Sequence, residues 1–246
     1  MFKLKLSIAK YLCRTALFLV VCSVVGSSKS TAQTYDFQKF TVENGLSQSQ
    51  ILCLSQSNTG ELWMGTNQGG INKFNGSDFS YITKEHGLSD NVVYAITQDQ
   101  LGRMLVGTNN GLNIIVGDRI DTLNTEKGLP HKGVVSILIA RDLTVWLGTG
   151  KGVGRLVGDS VIPFTKDSLL SASTILNIRE GSDGYLWFCT VQNGLFRWNG
   201  ESMLNISTTD GLDHNYVFDV MPLGKYDAWI FGYKGLYRLM DTKIEP

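Results

Sequence analysis

The sequence predicts an all-β fold, a β-propeller built from four-stranded antiparallel blades. One aromatic or apolar position recurs at steps of 42, 41, 41 and 42 residues, and it is occupied by Trp63, Leu105, Trp146, Trp187 and Trp229. A period of about 40–45 residues with strand-like content is typical of propeller blades. The 27 glycines against 4 prolines fit a chain with many tight turns. Together these observations predict five blades.

Each repeat is expected to contain four short strands separated by turns rich in Asn, Asp and Gly. The second strand carries the recurring Trp or Leu. The first strands are predicted at Gln50–Leu54, Val92–Thr97, Val134–Ala140, Ile175–Arg179 and Val217–Met221. The third strands, each led by glycine, are predicted at Gly70–Phe74, Gly111–Ile115, Gly152–Leu156, Gly194–Trp198 and Gly235–Leu239. The fourth strands alternate apolar and polar residues and are predicted at Phe79–Thr83, Arg119–Leu123, Ser160–Phe164 and Met203–Ile206.

Both ends of the repeat array bear on how the ring is completed. Phe37–Thr41 reads as a further fourth strand, which we expect to complete the last blade and lock the ring. Leu239–Pro246 aligns with Leu156–Phe164 and stops inside a fourth strand. We therefore expect residues 33–246 to be a C-terminally truncated part of a larger ring. A ring closed by five blades is the alternative.

Residues 1–32 are expected to form a cleaved signal peptide. Four basic residues precede the apolar run Ala16–Val25, and Ser30-Thr31-Ala32 supplies small residues before the cleavage point. Removing this segment removes five basic residues and no acidic residue, which leaves 17 against 22 and a net charge of −5. A mildly acidic exported domain argues against nucleic acid as a partner.

The two cysteines of the mature chain, Cys53 and Cys189, lie in apolar runs and are expected to be small buried side chains. No His and Cys spacing predicts a metal site, and no cofactor is expected. Motifs for a nucleophilic serine, a P-loop or a zinc protease are missing from the sequence as well.

The spacing of the recurring residues is similar to the two-component regulator propeller repeat. The resemblance rests on four Gly-Leu pairs, Gly45-Leu46, Gly87-Leu88, Gly128-Leu129 and Gly211-Leu212, together with the Trp-x-Gly-Thr segments, and it covers nearly all of the mature chain. The departures are Leu105 for Trp, Cys189 and Phe231 for Gly, and Ser168-Leu169 for Gly-Leu.

This resemblance implies a periplasmic or extracellular sensor region, usually of two seven-bladed rings, that precedes a membrane helix and a histidine kinase. Many members respond to oligosaccharides, and a homodimer is one alternative for a full-length sensor. The kinase and the membrane helix would belong to segments missing from this chain, so the chain itself is not expected to be an enzyme.

A residue type that recurs in every blade is expected to serve the architecture. The tryptophans are expected to fill the space between sheets, and glycine is expected where chains approach closely. The residues assigned this structural role are Trp63, Trp146, Trp187, Trp229, Gly65, Gly107 and Gly148.

Ligand-binding residues are expected where the copies differ. In a propeller, the loops that join blades and the loops between the second and third strands emerge on one face. The candidates on that face are Gln48, Gln50, Asn67, Gln68, Asp90, Asn91, Asn109, Asn110, His131, Lys151, Gln192, Asn193, His214, Asn215 and Tyr233. Amides, hydroxyls and an aromatic ring suit a neutral oligosaccharide or another small polar ligand. Ordinary solvated turn residues are the alternative for each of them.

Two other functions stay open at this point. A stand-alone secreted propeller could act as a binding or scaffold module. A polysaccharide-active enzyme would need two facing carboxylates, and only Asp90 and Asp213 lie on the candidate face.

Overall fold

The structure is a computed structural model that describes residues 37–224, 226–241 and 243–245. The chain divides into two units, Met1–Lys39 and Phe40–Pro246. The predicted signal peptide, residues 1–32, lies outside the described residues. Residues 37–39 adopt no helix or strand, and the fold described below belongs to the second unit.

Five four-stranded antiparallel sheets follow one another along the chain, and each is one blade. Blade 1 contains β1 to β4, at Ile51–Gln56, Leu62–Thr66, Ile71–Phe74 and Phe79–Ile82. Blade 2 contains β5 to β8, at Val93–Gln98, Met104–Thr108, Gly111–Val116 and Arg119–Leu123. Blade 3 contains β9 to β12, at Val134–Ile139, Val145–Thr149, Val153–Val157 and Ser160–Phe164. Blade 4 contains β13 to β16, at Ile175–Glu180, Leu186–Thr190, Leu195–Trp198 and Met203–Ile206. Blade 5 contains β17 to β20, at Val217–Gly224, Asp227–Gly232, Gly235–Met240 and Lys243–Glu245.

Within each blade the strands pair in chain order, so every connection inside a blade is a hairpin. Predicted and observed strand bounds differ by one or two residues in most cases, and by three at the end of β17. The all-β propeller prediction with five four-stranded blades is therefore confirmed.

The core lies between the blades, because each sheet buries apolar side chains against the sheet of the next blade. Trp63 packs against blade 2, Leu105 against blade 3, Trp146 against blade 4 and Trp187 against blade 5. Among the described residues, no comparable packing joins blade 1 to blade 5. Trp229, in the last blade of the described residues, is only half-buried.

The glycine before the recurring threonine of the second strand allows the next blade to approach. A methyl group at Gly65 would lie 2.6 Å from a side-chain carbon of Val93, the first residue of β5 in blade 2. Gly107 and Gly148 have the same relation to Val134 and Ile175, at 2.9 and 2.8 Å. Since these distances are shorter than any normal contact, a side chain here would push neighbouring blades apart.

The Gly-Leu pairs end short 3-10 helices that lead into blades 1, 2, 3 and 5. These helices are Val42–Asn44, Lys84–His86, Thr125–Lys127 and Thr208–Asp210. Each is followed by a glycine in the left-handed conformation, with φ between 92° and 115°. The leucine that follows is buried in each case, and Leu88, Leu129 and Leu212 lie in the clusters between neighbouring blades. Glycine thus turns the chain so that leucine can enter the core.

The fourth connection departs from this pattern, and there the sequence alignment was wrong. Ser168–Ala172 forms an α-helix, α1, whose N-terminus is capped by the side chain of Asp167. Leu169, which was aligned with the recurring leucine, is 52% exposed, whereas Leu170 is fully buried. Leu170 precedes Trp187 by 17 residues, the offset at which the recurring leucine precedes the Trp or Leu position in every other blade, so Leu170 is the recurring leucine of this connection.

The predicted strand Phe37–Thr41 is also wrong, since none of these residues is in a strand. The fourth position of blade 5 is occupied by β20, which pairs with β19. Phe40 instead packs its ring against Phe74 and Phe79, at centroid distances of 5.1 and 5.5 Å. Hydrophobic contact with blade 1 therefore positions Phe40 without strand pairing.

Candidate functional site

Two sets of loops meet on one face of the propeller. The backbone N–H of Gly70 donates to Asn91, that of Gly152 to Ser173, and that of Gly194 to Asn215, at 2.7–2.9 Å. Each bond joins the loop between the second and third strands of one blade to the connection that enters the next blade. We call this surface, at residues 47–50, 67–70, 89–92, 109–110, 131–133, 150–152, 171–174, 191–194, 213–216 and 233–234, the loop face.

A fully buried threonine anchors each loop between second and third strands in blades 1 to 4. In blade 4, the hydroxyl of Thr190 donates to the carbonyl of Gly194 at 2.8 Å and accepts from the N–H of Asn193 at 3.0 Å. Thr66, Thr108 and Thr149 make the corresponding pairs of bonds. The threonine of the repeat therefore holds the backbone of the loop and makes no bond to the side chains at the loop tip.

Four candidate residues share one structural task in the connecting loops. Gln48, Asp90, His131 and His214 each accept a hydrogen bond from the backbone N–H two residues later. Both histidines use Nδ1, so in this arrangement the ring proton is on Nε2. The same turn is built with an amide, a carboxylate or an imidazole, because all three place an acceptor at that distance.

The remaining connecting-loop candidates, together with three candidates in the loops between second and third strands, are also engaged in internal bonds. The side chains of Asn91 and Asn215 accept from Lys84 and Thr208 at the start of the neighbouring 3-10 helices. The other internal bonds join Asn67 to Gln50, Thr174 to Gln192 and Asn193 to Ser173. These side chains hold the loops of the loop face together. They are therefore less available to a ligand.

The candidates with no side-chain hydrogen bond among the described residues lie at the tips of the loops between second and third strands. Gln68, Asn109, Asn110 and Lys151 are all exposed. Gln68 is held with φ of 81°, which is uncommon for a residue with a side chain. Tyr233 is 64% exposed and lies 5.2 Å from the ring of His214. These five residues are the part of the predicted set that is free to contact a ligand.

A row of polar side chains on the third strands, absent from the predicted set, supports the connecting loops. Buried Asn72 and Asn113 accept from the N–H groups of Ser47 and Ser89 at 2.7 and 2.9 Å. In blade 3 the pair is Pro130 and Gly154, since proline has no N–H to satisfy. The paired change between repeats was visible in the sequence and could have identified this contact.

In blade 5, the corresponding positions of the third strand and the connecting loop are occupied by Tyr237 and Asp213. The hydroxyl of Tyr237 donates to a carboxylate oxygen of Asp213 at 3.1 Å. Burial and this carboxylate raise the pKa of Tyr237. Asp213 is thus engaged in the scaffold, as is Asp90, whose carboxylate accepts from the N–H of Val92.

The inner strands of blades 4 and 5 are joined by an ion pair that the sequence did not suggest. Arg179 makes two hydrogen bonds to the carboxylate of Asp219, at 2.9 and 2.6 Å, and these bonds raise the pKa of Arg179. Asn177 also donates to Asp219, at 3.0 Å. Each partner lies in a strand that reads as apolar, and no pattern in either strand predicts their meeting.

The cavities are unevenly distributed. A cavity of about 170 Å³ opens beside Lys151 and Ser171 on the loop face. A larger one, of about 620 Å³, lies between blades 1 and 2.

Within the described ranges, no three His, Cys, Asp or Glu side chains are grouped closely enough to hold a metal ion. In the same ranges, no helix has the length and apolar character needed to cross a membrane.

Comparison with known families supports the interpretation of the repeats. Residues 45–68 and 87–110 each match the family described as "Two component regulator propeller". These matches confirm the predicted resemblance at the first two repeats. No curated protein matches the chain at a significant level.

Several solved structures share the fold at low sequence identity. Virginiamycin B lyase from Staphylococcus aureus, an inactive variant with quinupristin, is 21% identical with a TM-score of 0.62, over 79% of this chain and 68% of the lyase. The extracellular domain of a putative one-component system from B. thetaiotaomicron is 18% identical with a TM-score of 0.64, over 81% of this chain and 29% of that one. PorZ, a surface component of the type-IX secretion system of Porphyromonas gingivalis, is 14% identical with a TM-score of 0.62, over 78% and 32%. These likenesses show a shared fold and leave the activity open.

Proposed function

We propose that this chain is the exported, ligand-sensing propeller portion of a two-component signalling protein, a sensor histidine kinase, and that the loop face binds a neutral oligosaccharide. The match of two repeats to the regulator propeller family carries the proposal of a sensor. The free amides of Gln68, Asn109 and Asn110, with the exposed ring of Tyr233, support a sugar as ligand, because hydroxyls pair with amides and C–H faces with aromatic rings.

The scaffold beneath these side chains favours recognition by preorganised loops. Buried threonines hold the loop ends, and backbone bonds join each loop to the next blade. A ligand that contacts several tips at once would therefore meet groups that are already positioned, which lowers the entropy loss on binding. We further propose that the chain is exported and that the propeller lies on the periplasmic side of the inner membrane.

Binding can be tested by calorimetry with cello-, xylo- and galacto-oligosaccharides. We expect Asn109→Ala combined with Asn110→Ala to weaken binding about tenfold, since two hydrogen bonds of about 0.7 kcal/mol each are removed. Gln100→Ala is the matched control, because Gln100 is an exposed amide in a turn at the opposite ends of the strands. Equal affinity in the double variant and the control would overturn the assignment of the ligand site.

The signalling role needs a separate test. A reading frame that continues beyond residue 246 through a membrane helix into a histidine kinase would support it. A stop codon directly after residue 246 would refute it and favour the stand-alone binding module.

Catalysis is the second candidate, since a lyase shares the fold. The two carboxylates considered for it, Asp90 and Asp213, each accept a hydrogen bond from the scaffold. We therefore propose that the chain itself is non-catalytic. Release of unsaturated or hydrolysed products from a glycan panel, abolished by Asp90→Asn or Asp213→Asn, would contradict this.

A further inference from the structure

A basic side chain lies over the tryptophan of the second strand in three blades. Each cation occupies the third-strand position that pairs with this tryptophan, and the pairs are Lys73 with Trp63, Arg197 with Trp187 and Arg238 with Trp229. The charged groups lie 4.9, 5.2 and 5.2 Å from the ring centres. The cation over the indole ring is therefore a feature of the repeat, and the three sites can be compared directly.

In blades 1 and 5 the cation has a carboxylate partner from its own blade. Glu61, two residues before the tryptophan, lies 3.7 Å from Lys73. Asp227, also two residues before the tryptophan, accepts two hydrogen bonds from Arg238, at 3.2 and 3.0 Å. One position of the repeat thus supplies the counter-charge in both blades.

Blade 4 has a tyrosine, Tyr185, at this position, and its cation is left without a counter-charge. Arg197 is only 5% exposed and forms no ion pair among the described residues. Its Nε and Nη2 atoms are buried and have no hydrogen-bond acceptor in the same part of the chain. Burying an unpaired charge costs far more than burying a neutral N–H group, because the hydration of the charge is lost as well.

Blade 3 shows how a cation without a carboxylate partner is tolerated elsewhere. Arg155 pairs with Trp146, and Thr144 stands two residues before that tryptophan. Arg155 is exposed, so water can solvate its charge. Among the described cations at this position, Arg197 is the only one that is both buried and unpaired.

Two tyrosine rings enclose the guanidinium of Arg197. Its central carbon lies 4.3 Å from the ring centre of Tyr185 and 4.7 Å from that of Tyr226, which belongs to the turn between the first two strands of blade 5. A guanidinium donates its hydrogen bonds in its own plane, so contacts with ring faces leave these bonds unmade. The rings attract the cation without supplying an acceptor for its N–H groups.

A cavity of about 160 Å³ opens beside Arg197, with room for about five water molecules of about 30 Å³ each. Arg197 is the only charged residue among those that line it, and the others are Tyr185, Asn199, Ser202, Leu204 and Tyr226. The side-chain oxygen of Asn199 already accepts from the N–H groups of Glu201 and Ser202. The polar groups left to a ligand are therefore mainly donors, which suits an anion.

We propose that this cavity between blades 4 and 5 binds a small carboxylate, which takes the place that Glu61 and Asp227 have beside their cations. Its oxygens would accept from the guanidinium of Arg197 and from the side-chain amide of Asn199, while the 41% exposed ring of Tyr226 moves outward to admit it. A carboxylate is favoured over other anions because its two coplanar oxygens match the edge of a guanidinium.

This site is separate from the loop face. Tyr185 comes directly before β14, whereas the loop face of blade 4 begins after β14 ends at Thr190. The cavity therefore lies at the opposite ends of the strands, and the proposal depends neither on sugar binding at the loop face nor on a signalling role.

The Nε–H resonance of Arg197 provides a direct test. Sodium acetate is titrated into ¹⁵N-labelled protein at an ionic strength held constant with sodium chloride, and acetamide is the uncharged counterpart. The resonance of Arg197 is identified as the one that disappears in Arg197→Lys. We expect acetate to shift this resonance and acetamide to leave it unchanged. We also expect acetate to raise the urea midpoint above its value in chloride, because a ligand that binds only the folded state stabilises it.

Parallel titrations identify the source of the carboxylate. Sodium glucuronate that binds at least as tightly as acetate would assign the site to an acidic sugar, and weaker binding would assign it to a smaller free acid. Sodium phosphate that binds more tightly than either would overturn the assignment to a carboxylate.

A matched pair of variants tests the missing counter-charge. Tyr185→Glu restores the carboxylate of the repeat, and it should bind acetate at least about tenfold more weakly than Tyr185→Gln, which has the same size and no charge. Arg155→Gln is the control in blade 3 and should leave acetate binding unchanged. If the Tyr185 variants do not fold, Asn199→Asp keeps the acceptor of its turn and adds a charge to the cavity, so it should weaken acetate binding by a similar factor.

Three results would each overturn the proposal. They are an Arg197 resonance that acetate does not shift, an equal shift by acetamide, and equal acetate binding by Tyr185→Glu and Tyr185→Gln.

Discussion

Replacing Thr190 by valine tests whether the threonine of the repeat anchors the loop face. The change keeps the shape of the side chain but removes the hydroxyl that donates to Gly194 at 2.8 Å and accepts from Asn193 at 3.0 Å. Losing the first bond costs about 1 kcal/mol, and leaving the Asn193 N–H without its acceptor costs about 1.5 kcal/mol. The added buried methyl group returns about 0.8 kcal/mol. We therefore expect a loss of about 2 kcal/mol in the free energy of unfolding.

Urea denaturation followed by tryptophan fluorescence measures this loss, with Thr97→Val as the matched control. Thr97 is half-buried in a strand and makes no side-chain hydrogen bond among the described residues, so its replacement should change stability by less than about 0.5 kcal/mol. Hydrogen exchange at the Asn193 amide should also become faster in Thr190→Val. A stability loss no larger than that of the control, with unchanged exchange at Asn193, would refute the anchoring role.

Three further predictions address other parts of the propeller. Asp219→Asn should destabilise the chain by about 1 kcal/mol in low salt and by less in high salt, because it weakens a partly exposed ion pair with Arg179; equal losses at both salt concentrations would contradict this. Gly128→Ala should lower the urea midpoint far more than Gly117→Ala, since both glycines have positive φ but only at Gly128 would a methyl group collide with a backbone carbonyl. Burial raises the pKa of Cys53 from 9.0 to about 11, so its thiol should react slowly with a disulfide reagent at pH 8 until urea unfolds the chain. Because the raised pKa disfavours the thiolate in the folded state, unfolding free energy should fall as pH rises from about 9 toward 11.

The fold was predictable because every blade has the same packing requirements, so the residues that meet them recur along the chain. Trp63 and Trp146 recur where an apolar side chain fills the gap between sheets, and Gly65 and Gly148 recur where the next inner strand approaches. A constraint that every blade imposes appears in the sequence as a period. The Gly-Leu alignment was wrong at the fourth connection, where the leucine at the recurring offset from the tryptophan is Leu170 and not Leu169.

The candidate site was predictable as a surface but not residue by residue. The sequence placed Asp90, His131 and Asn109 on one face, yet it could not separate groups used by the scaffold from groups left free. His131 accepts a backbone N–H just as Asp90 does, whereas Asn109 makes no such bond among the described residues. That division depends on hydrogen-bond geometry within each turn, which residue type alone does not specify.

The sequence by itself determined the blade, its four strands, its period and the positions that pack between sheets, because these follow from local patterns that recur. Only the tertiary structure decided which side chains meet across blades. Arg179 joins Asp219 from forty residues away, and Phe40 packs on blade 1 without forming a strand. The cavity beside Trp63 is open while its counterpart beside Trp187 is largely filled by Arg197. Each of these outcomes depends on the combined volume and charge of two surfaces that pack against each other. The sequence of one repeat does not specify the surface that it will meet.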